Sequence, residues 1–298
     1  MVYSGFWTWL HLLQLCIANH CVDPEDDAVN KPRCPIPSGL ISVASARTLH
    51  LILLPSCLCL SAWLGLQWHT VSLTLAGAVY HELHFHEHWV TYNVCNTWFY
   101  ASLNAGAAMV AGGTFYVFIH THWTLCNNNH TLVLGQSVLT TRTATSVTVN
   151  SLIIFLTIQS QDFCDRICDK QMARWTIPIM WPTGGRISML VILTTWSVGL
   201  SCACDIAYRF CVPFCMLGVF IGMRFIRKRT ADGDQQSYQY YNVGFQCCGD
   251  VCSRVKPLPP LQIWLMAAEV VHTPMVMTAF MSRATRFEGS AVSEIVTP

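Results

Sequence analysis

The feature that most constrains this chain is a series of apolar runs, each near the length that crosses a lipid bilayer, separated by short polar segments. A helix needs about 20 mainly apolar residues to span the hydrocarbon core, where every backbone N–H and C=O must be paired within the segment. Eight such runs are read, at residues 3–19, 48–66, 70–87, 93–119, 145–161, 187–208, 211–226 and 261–281. The clearest are Leu49 to Leu66, Ile187 to Ala207 and Leu261 to Met281. The weakest is the third, which runs into His81-Glu82-Leu83-His84-Phe85-His86-Glu87-His88. Charged residues make up 11% of the 298, against roughly 25% in an ordinary soluble domain. The expectation is an all-α fold: one polytopic transmembrane helix bundle spanning residues 1–298, multi-pass and embedded in the lipid bilayer. A net charge of +1 without a basic stripe points away from a nucleic-acid partner.

Cysteine usage fits the same setting. Most of the sixteen cysteines lie inside apolar runs, as at Cys57, Cys59, Cys202, Cys204, Cys211 and Cys215, where a free thiol acts as a small hydrophobe. Cys247, Cys248 and Cys252 fall in a stretch read as a polar loop, and no second cluster at zinc-ligand spacing accompanies them.

Orientation follows from the Lys and Arg content of the loops. Lys31, Arg33 and Arg47 follow the first run; Arg166, Lys170, Arg174 and Arg186 follow the fifth; Arg224, Arg227, Lys228, Arg229, Arg254 and Lys256 follow the seventh. These thirteen of seventeen basic residues define a cytoplasmic side, with Arg142, Arg209, Arg283 and Arg286 opposite. The sequon Asn129-His130-Thr131 then falls in a lumenal loop. No cleavable leader is read at the start. The expected location is the endoplasmic reticulum or another endomembrane.

The same alternation puts two acidic clusters on one membrane face. Asp23, Glu25, Asp26 and Asp27 follow the first run, and Asp162, Asp165 and Asp169 follow the fifth. Asn19, Asp23 and Asp27 are spaced by four, so on a continuing helix they share a face; Asp162, Asp165 and Asp169 do the same at spacings of three and four. Gathered carboxylates repel unless a cation neutralises them. Mg²⁺ takes few carboxylates, keeps waters and bridges to phosphate oxygens. Two such faces opposed across a bundle make a diphosphate clamp, with Lys31, Arg33, Lys170 and Arg174 available for the remaining phosphate charge.

Asn19-His20-Cys21-Val22-Asp23-Pro24-Glu25-Asp26-Asp27-Ala28-Val29-Asn30-Lys31-Pro32, followed by Pro35-Ile36-Pro37-Ser38-Gly39, resembles the first motif of the UbiA superfamily of intramembrane prenyltransferases, in wording closest to its fungal branch. Asp162-Phe163-Cys164-Asp165-Arg166-Ile167-Cys168-Asp169-Lys170, with Arg174 and Thr176-Ile177-Pro178-Ile179 after it, is similar to the second motif. The resemblance implies a nine-helix fold, of which about eight spans are read here. It implies Mg²⁺ held by Asn19, Asp23, Asp27, Asp162, Asp165 and Asp169, with the five aspartates as the catalytic carboxylates. Asn19, Lys31, Arg33, Tyr80, Lys170 and Arg174 would contact an isoprenyl diphosphate. The implied reaction ionises that diphosphate and passes the allylic cation to a lipophilic acceptor, aromatic in the first reading. In terpene cyclases of the same superfamily the acceptor is the substrate's own double bond.

The departures from the family pattern are local. His20 replaces an Asp, Cys34 an Arg, and Leu40 a residue that is often basic; Arg166-Ile167-Cys168 replaces a usual V-E-G, and Ala173 a Gly. No Lys follows Tyr80, so His84, His86 and His88 are read as a polar helix end, as partial substitutes for that Lys, or as a metal site. About eighteen residues precede Asn19, so the expectation is a chain lacking the family's first helix, one that folds poorly and turns over slowly. Residues 114–144 and 244–260 read as insertions. Three other classes compete: an inactive relative that still binds lipid diphosphate, an ion-carrying or structural membrane protein, and a di-iron oxygenase. The last lacks enough histidine boxes, and helix-end carboxylates beside basic residues suit a phosphate site better than a midplane ion path.

Overall fold

A computed structural model describes residues 2–22, 24–30, 34–126, 141–203 and 208–255. Among these the chain forms eleven helices: α1 (Val2–Val22), α2 (Pro24–Asn30), α3 (Val43–Trp63), α4 (Gln67–Glu82), α5 (Trp89–Cys126), α6 (Thr141–Thr157), α7 (Gln159–Gln171), α8 (Ile177–Met180), α9 (Pro182–Ala203), α10 (Tyr208–Arg227) and α11 (Ala231–Val255). Four stretches are long and apolar enough to cross a membrane by length and composition: Val43–Trp63, Thr143–Gln171, Pro182–Ala203 and Tyr208–Arg227.

The burial pattern is that of a helix in lipid. Along α3 the inward positions are Ala46, Leu53, Cys57 and Ser61, while Leu51, Ile52 and Trp63 face outward. Small and polar residues let helices approach where lipid removes the hydrophobic drive to associate, and large apolar ones are left to the acyl chains. The Gly218-x-x-x-Gly222 step on α10 is the tightest case. A Cβ at Gly222 would lie 2.5 Å from the Leu190 Cα of α9, so only glycine admits this crossing. A buried polar knot joins α1, α3 and α4: Trp7 Nε1 donates to Ser61 Oγ at 2.8 Å, and His11 bridges the Trp7 carbonyl (2.8 Å) and Thr70 Oγ1 (2.7 Å). Ser42 caps α3 through the Ser45 amide, and Gly65, at φ +73°, closes its C-terminus with its N–H 3.1 Å from the Ala62 carbonyl.

Seven of the eight apolar runs correspond to helices; 261–281 lies outside the described residues, as do Lys256, Arg283 and Arg286. Three boundaries differ from the sequence reading. The third run stops at Glu82, because His84 takes φ 55° and turns the chain before Trp89. Residues through Cys126, read in part as an insertion, continue α5. Most consequentially, the stretch after Arg229 is not a loop but α11. Contacts of Arg224 with Gln236, Phe220 with Tyr240, and Leu217 and Ile221 with Gly244 set α11 antiparallel to α10. Arg254, near the far end of α11, therefore stands level with the start of α10 and not with Arg224 and Arg227. Residues 247–252, with their three cysteines, are likewise helical.

Candidate active site

The second acidic motif is the better-defined half of the site. Only Ile158 separates α6 from α7, so Asp162, Asp165 and Asp169 sit on a helix that extends the membrane rod. Their spacing turns Asp162 and Asp169 inward, to 6% and 5% exposure, while Asp165 is half-buried. Asp162 is hydrogen bonded by the Tyr92 hydroxyl and interacts electrostatically with Asp165, Asp169 and Arg174. Gln161 Nε2 donates to the same Tyr92 hydroxyl and orients it. Arg174 Nη1 lies 3.6 Å from Asp169 Oδ1, and Thr176 Oγ1 donates to Asp169 Oδ2 at 3.3 Å. Tyr80, at the end of α4, interacts with Arg174, Asp162 and Asp169. Tyr80, Tyr92, Asp162, Asp165, Asp169 and Arg174 thus form one cluster, whereas Lys170 points to solvent.

The first motif is split. Asn19 is exposed near the end of α1, and Asp27 is buried on α2, so the two do not share one continuing helix. Helix α2 packs against α7, which brings Asp27 to the same end of the bundle as the second cluster. His20 Nδ1 meets the Asp27 carboxylate, giving the residue that replaces the family's Asp a direct contact with the motif. Cys34 is buried in the turn that follows, its carbonyl accepting from the Ser38 N–H at 2.9 Å. Asp23, Lys31 and Arg33 lie outside the described residues.

Two of the motif departures acquire a physical reason. Arg166 reaches away from the carboxylates to Asp234 Oδ2, at 3.3 Å, and to the Arg229 carbonyl. Ala173 adopts φ 54°, the left-handed conformation that glycine takes without cost. That turn, closed by the Arg174 N–H on the Asp169 carbonyl at 2.8 Å, aims Arg174 back at α7. Because the left-handed region costs an L-residue roughly 1–2 kcal/mol, Ala173→Gly is expected to raise thermal stability in detergent by about 1 kcal/mol, read as a higher melting temperature. An unchanged or lower midpoint would show that the turn is not strained.

Reading the chain alone missed Arg186 and Asp234, the pair that holds the site's frame. Arg186, on the first turn of α9, donates from Nη1 and Nη2 to the two Asp234 oxygens at 2.6 and 2.7 Å. It also donates to the Phe225 and Lys228 carbonyls and lies over the Phe163 ring. The available signal was Thr230 ahead of Asp232 and Asp234: its hydroxyl accepts from the Gly233 N–H at 3.2 Å, the N-cap and acidic first turn of a helix.

The histidine segment docks beside the site. Trp175 N–H donates to the Glu87 carbonyl (2.7 Å) and Trp89 N–H to the Trp175 carbonyl (2.9 Å), pinning residues 83–88 to the turn that carries Arg174.

A solved structure of digeranylgeranylglyceryl phosphate synthase superposes with a TM-score of 0.46 at 15% identity, covering 90% of this chain and 92% of that one. The fumagillin beta-trans-bergamotene synthase of Aspergillus fumigatus is 27% identical over 207 residues, 67% of this chain; the chain spans 62% of that relative's length. The model of the UbiA prenyltransferase family matches residues 1–244, and the chain belongs to that family of integral membrane proteins.

Proposed function

We propose that this chain ionises an isoprenyl diphosphate with Mg²⁺ and confines the resulting allylic cation within the helix bundle. The observation that carries this reading is the buried carboxylate pair Asp162 and Asp169 at a helix end, packed near Asp27 and interacting with the Arg174 guanidinium. Three aspartates on one short helix gather carboxylates in a largely desolvated place, a donor set of hard oxygens that suits Mg²⁺. Asp27, Asp162, Asp165 and Asp169, with Asn19 and Asp23 from the family pattern, would hold the metal. When bound, Mg²⁺ supplies stabilisation of charge on the departing diphosphate.

The protein's own groups do the rest. Arg174, fixed by its turn and by Asp169, offers a planar donor fork to phosphate oxygens. Tyr80 and Tyr92 stand with ring centroids 6.2 Å apart, and Phe99 lies 6.3 Å from Tyr80. These rings give a dry wall whose π faces stabilise a cation and exclude water from it. Lys31 and Arg33 complete the diphosphate contacts in this reading, while Lys170, expected from the sequence to join them, points to solvent.

Two fates of the cation fit: alkylation of a lipophilic, aromatic acceptor, and closure onto the substrate's own double bond. The second is favoured by the bergamotene synthase similarity, since that relative's name is of a terpene synthase. The test is membrane-embedded protein with Mg²⁺ and labelled isoprenyl diphosphates of several chain lengths, measuring diphosphate release and extracting all products. Release with a cyclic hydrocarbon supports cyclisation, and release only when an aromatic acceptor is added supports transfer. No Mg²⁺-dependent release with any chain length would overturn the proposal.

We place the site on the cytosolic face of the endoplasmic reticulum or another endomembrane, from the excess of Lys and Arg on that side. Single cysteine tags beside Asp27 and Asp165 are expected to react with an impermeant thiol reagent from the same, cytosolic side. Reaction from opposite sides would falsify the shared site. Asn129 lies outside the described residues and would face the lumen in this topology.

A further inference from the structure

The segment between α4 and α5 carries a second group of ligating side chains that the carboxylate site does not use. One ring nitrogen of His84, one of His86 and a carboxylate oxygen of Glu87 all lie within 4.8 Å of one another. His84 Nδ1 is 3.2 Å from Glu87 Oε1. His86 Nδ1 lies 2.9 Å from the Tyr80 carbonyl, which can only accept, so Nδ1 carries the proton and Nε2 presents a lone pair. A ring N–H given to a backbone carbonyl is the outer-shell contact that orients metal-binding histidines. The backbone beneath is also fixed. His84 holds φ 55°, the Glu87 N–H bonds the His84 carbonyl at 3.1 Å, and Thr91 Oγ1 donates to the Phe85 carbonyl at 2.7 Å.

We propose that His84, His86 and Glu87 bind one borderline-soft divalent ion of the Zn²⁺ class, with water in the remaining position, and that this ion locks segment 83–88 against the Arg174 turn. Two imidazoles and one carboxylate match zinc and not magnesium, which avoids nitrogen ligands. Zn–N bonds of about 2.0–2.1 Å set tetrahedral ligand atoms roughly 3.4 Å apart; His84 Nδ1 and Glu87 Oε1 already stand 3.2 Å apart, and both side chains are exposed enough to rotate toward His86. The ion would act on the neighbouring site through two links already formed. The Tyr80 carbonyl holds His86 while the Tyr80 side chain interacts with Asp162, Asp169 and Arg174. The Glu87 carbonyl is bonded by the Trp175 N–H, next to Arg174.

The test is titration of the detergent-solubilised full chain with Zn²⁺, and separately with Co²⁺ as a spectroscopic probe, in excess Mg²⁺ to occupy the carboxylate site. A Cys247/Cys248/Cys252→Ser background separates imidazole from thiolate binding. The expected result is one Zn²⁺ per chain in that background, with affinity lowered about tenfold or more in His84→Ala and in Glu87→Gln, by analogy with the 10–100-fold losses that even outer-shell changes cause. Zn²⁺ should also slow amide exchange over residues 83–91 and 172–176. The two exposed positions are substituted first because neither supports the Tyr80 contact, so loss of binding there is not loss of folding. Equal stoichiometry and affinity in both variants would overturn the proposal. So would a Co²⁺ spectrum with thiolate charge-transfer bands that vanishes in the serine background.

Discussion

Asp234→Ala is expected to destabilise the protein by about 3–5 kcal/mol, the cost of stranding a buried charge when its partner is removed. Arg186 is 3% exposed and Asp234 is fully buried, so water cannot replace the lost carboxylate. The Phe225 and Lys228 carbonyls remain as acceptors but carry no formal charge. The damage would spread, because this pair joins the starts of α9 and α11 to the end of α10, and Arg166 ties α7 to the same carboxylate. Arg166→Ala is the internal comparison: its side chain is 32% exposed and its bond to Asp234 is long, so a loss of no more than about 1 kcal/mol is expected. Thermal and denaturant midpoints in detergent check both. Equal, small losses would show that Asp234 is not the keystone of this end of the bundle.

Asp162→Asn is expected to do the reverse, removing function while sparing or raising stability. Asp162 and Asp169 are buried near each other, and a neutral amide at one relieves their repulsion in the resting protein. The same change removes a hard ligand from the proposed metal set. Loss of a preorganised group that acts on transition-state charge costs roughly 10²–10³-fold in turnover. Asp169→Asn should match it in activity but gain less stability, because Asp169 also loses its pairing with Arg174. The checks are the Mg²⁺-dependent rate of diphosphate release and the melting temperature on the same preparations. If Asp162→Asn lost stability in proportion to activity, its role would be structural and the clamp would have to be abandoned. The opposite signs expected at Asp162 and Asp234 separate a charge held for chemistry from one held for the frame.

Much of this was legible in the chain. Runs of apolar residues dictate helices in lipid wherever the backbone has no other partner, and seven of the eight coincide with described helices. The aspartates at spacings of three and four fixed which side chains of α7 share a face before any packing was known. Family membership, too, was carried by short motifs, because each gathers its carboxylates and basic residues within a few positions of one another in the chain.

Other features had no local signature. Helix α11 is polar along one side and reads as a loop; only packing on α7 and α10 makes its buried side visible. Tyr92 belongs to no motif in the chain; only the tertiary structure sets its hydroxyl on Asp162. Arg166 reads in the chain only as a departure from the second motif's pattern; its partner Asp234 lies 68 residues away. The sequence by itself determined the helices, the membrane setting and the family, because those rest on periodicity and on groups adjacent in the chain. Only the tertiary structure decided which charges face the site and which hold the frame, because that depends on desolvation and on partners from distant helices.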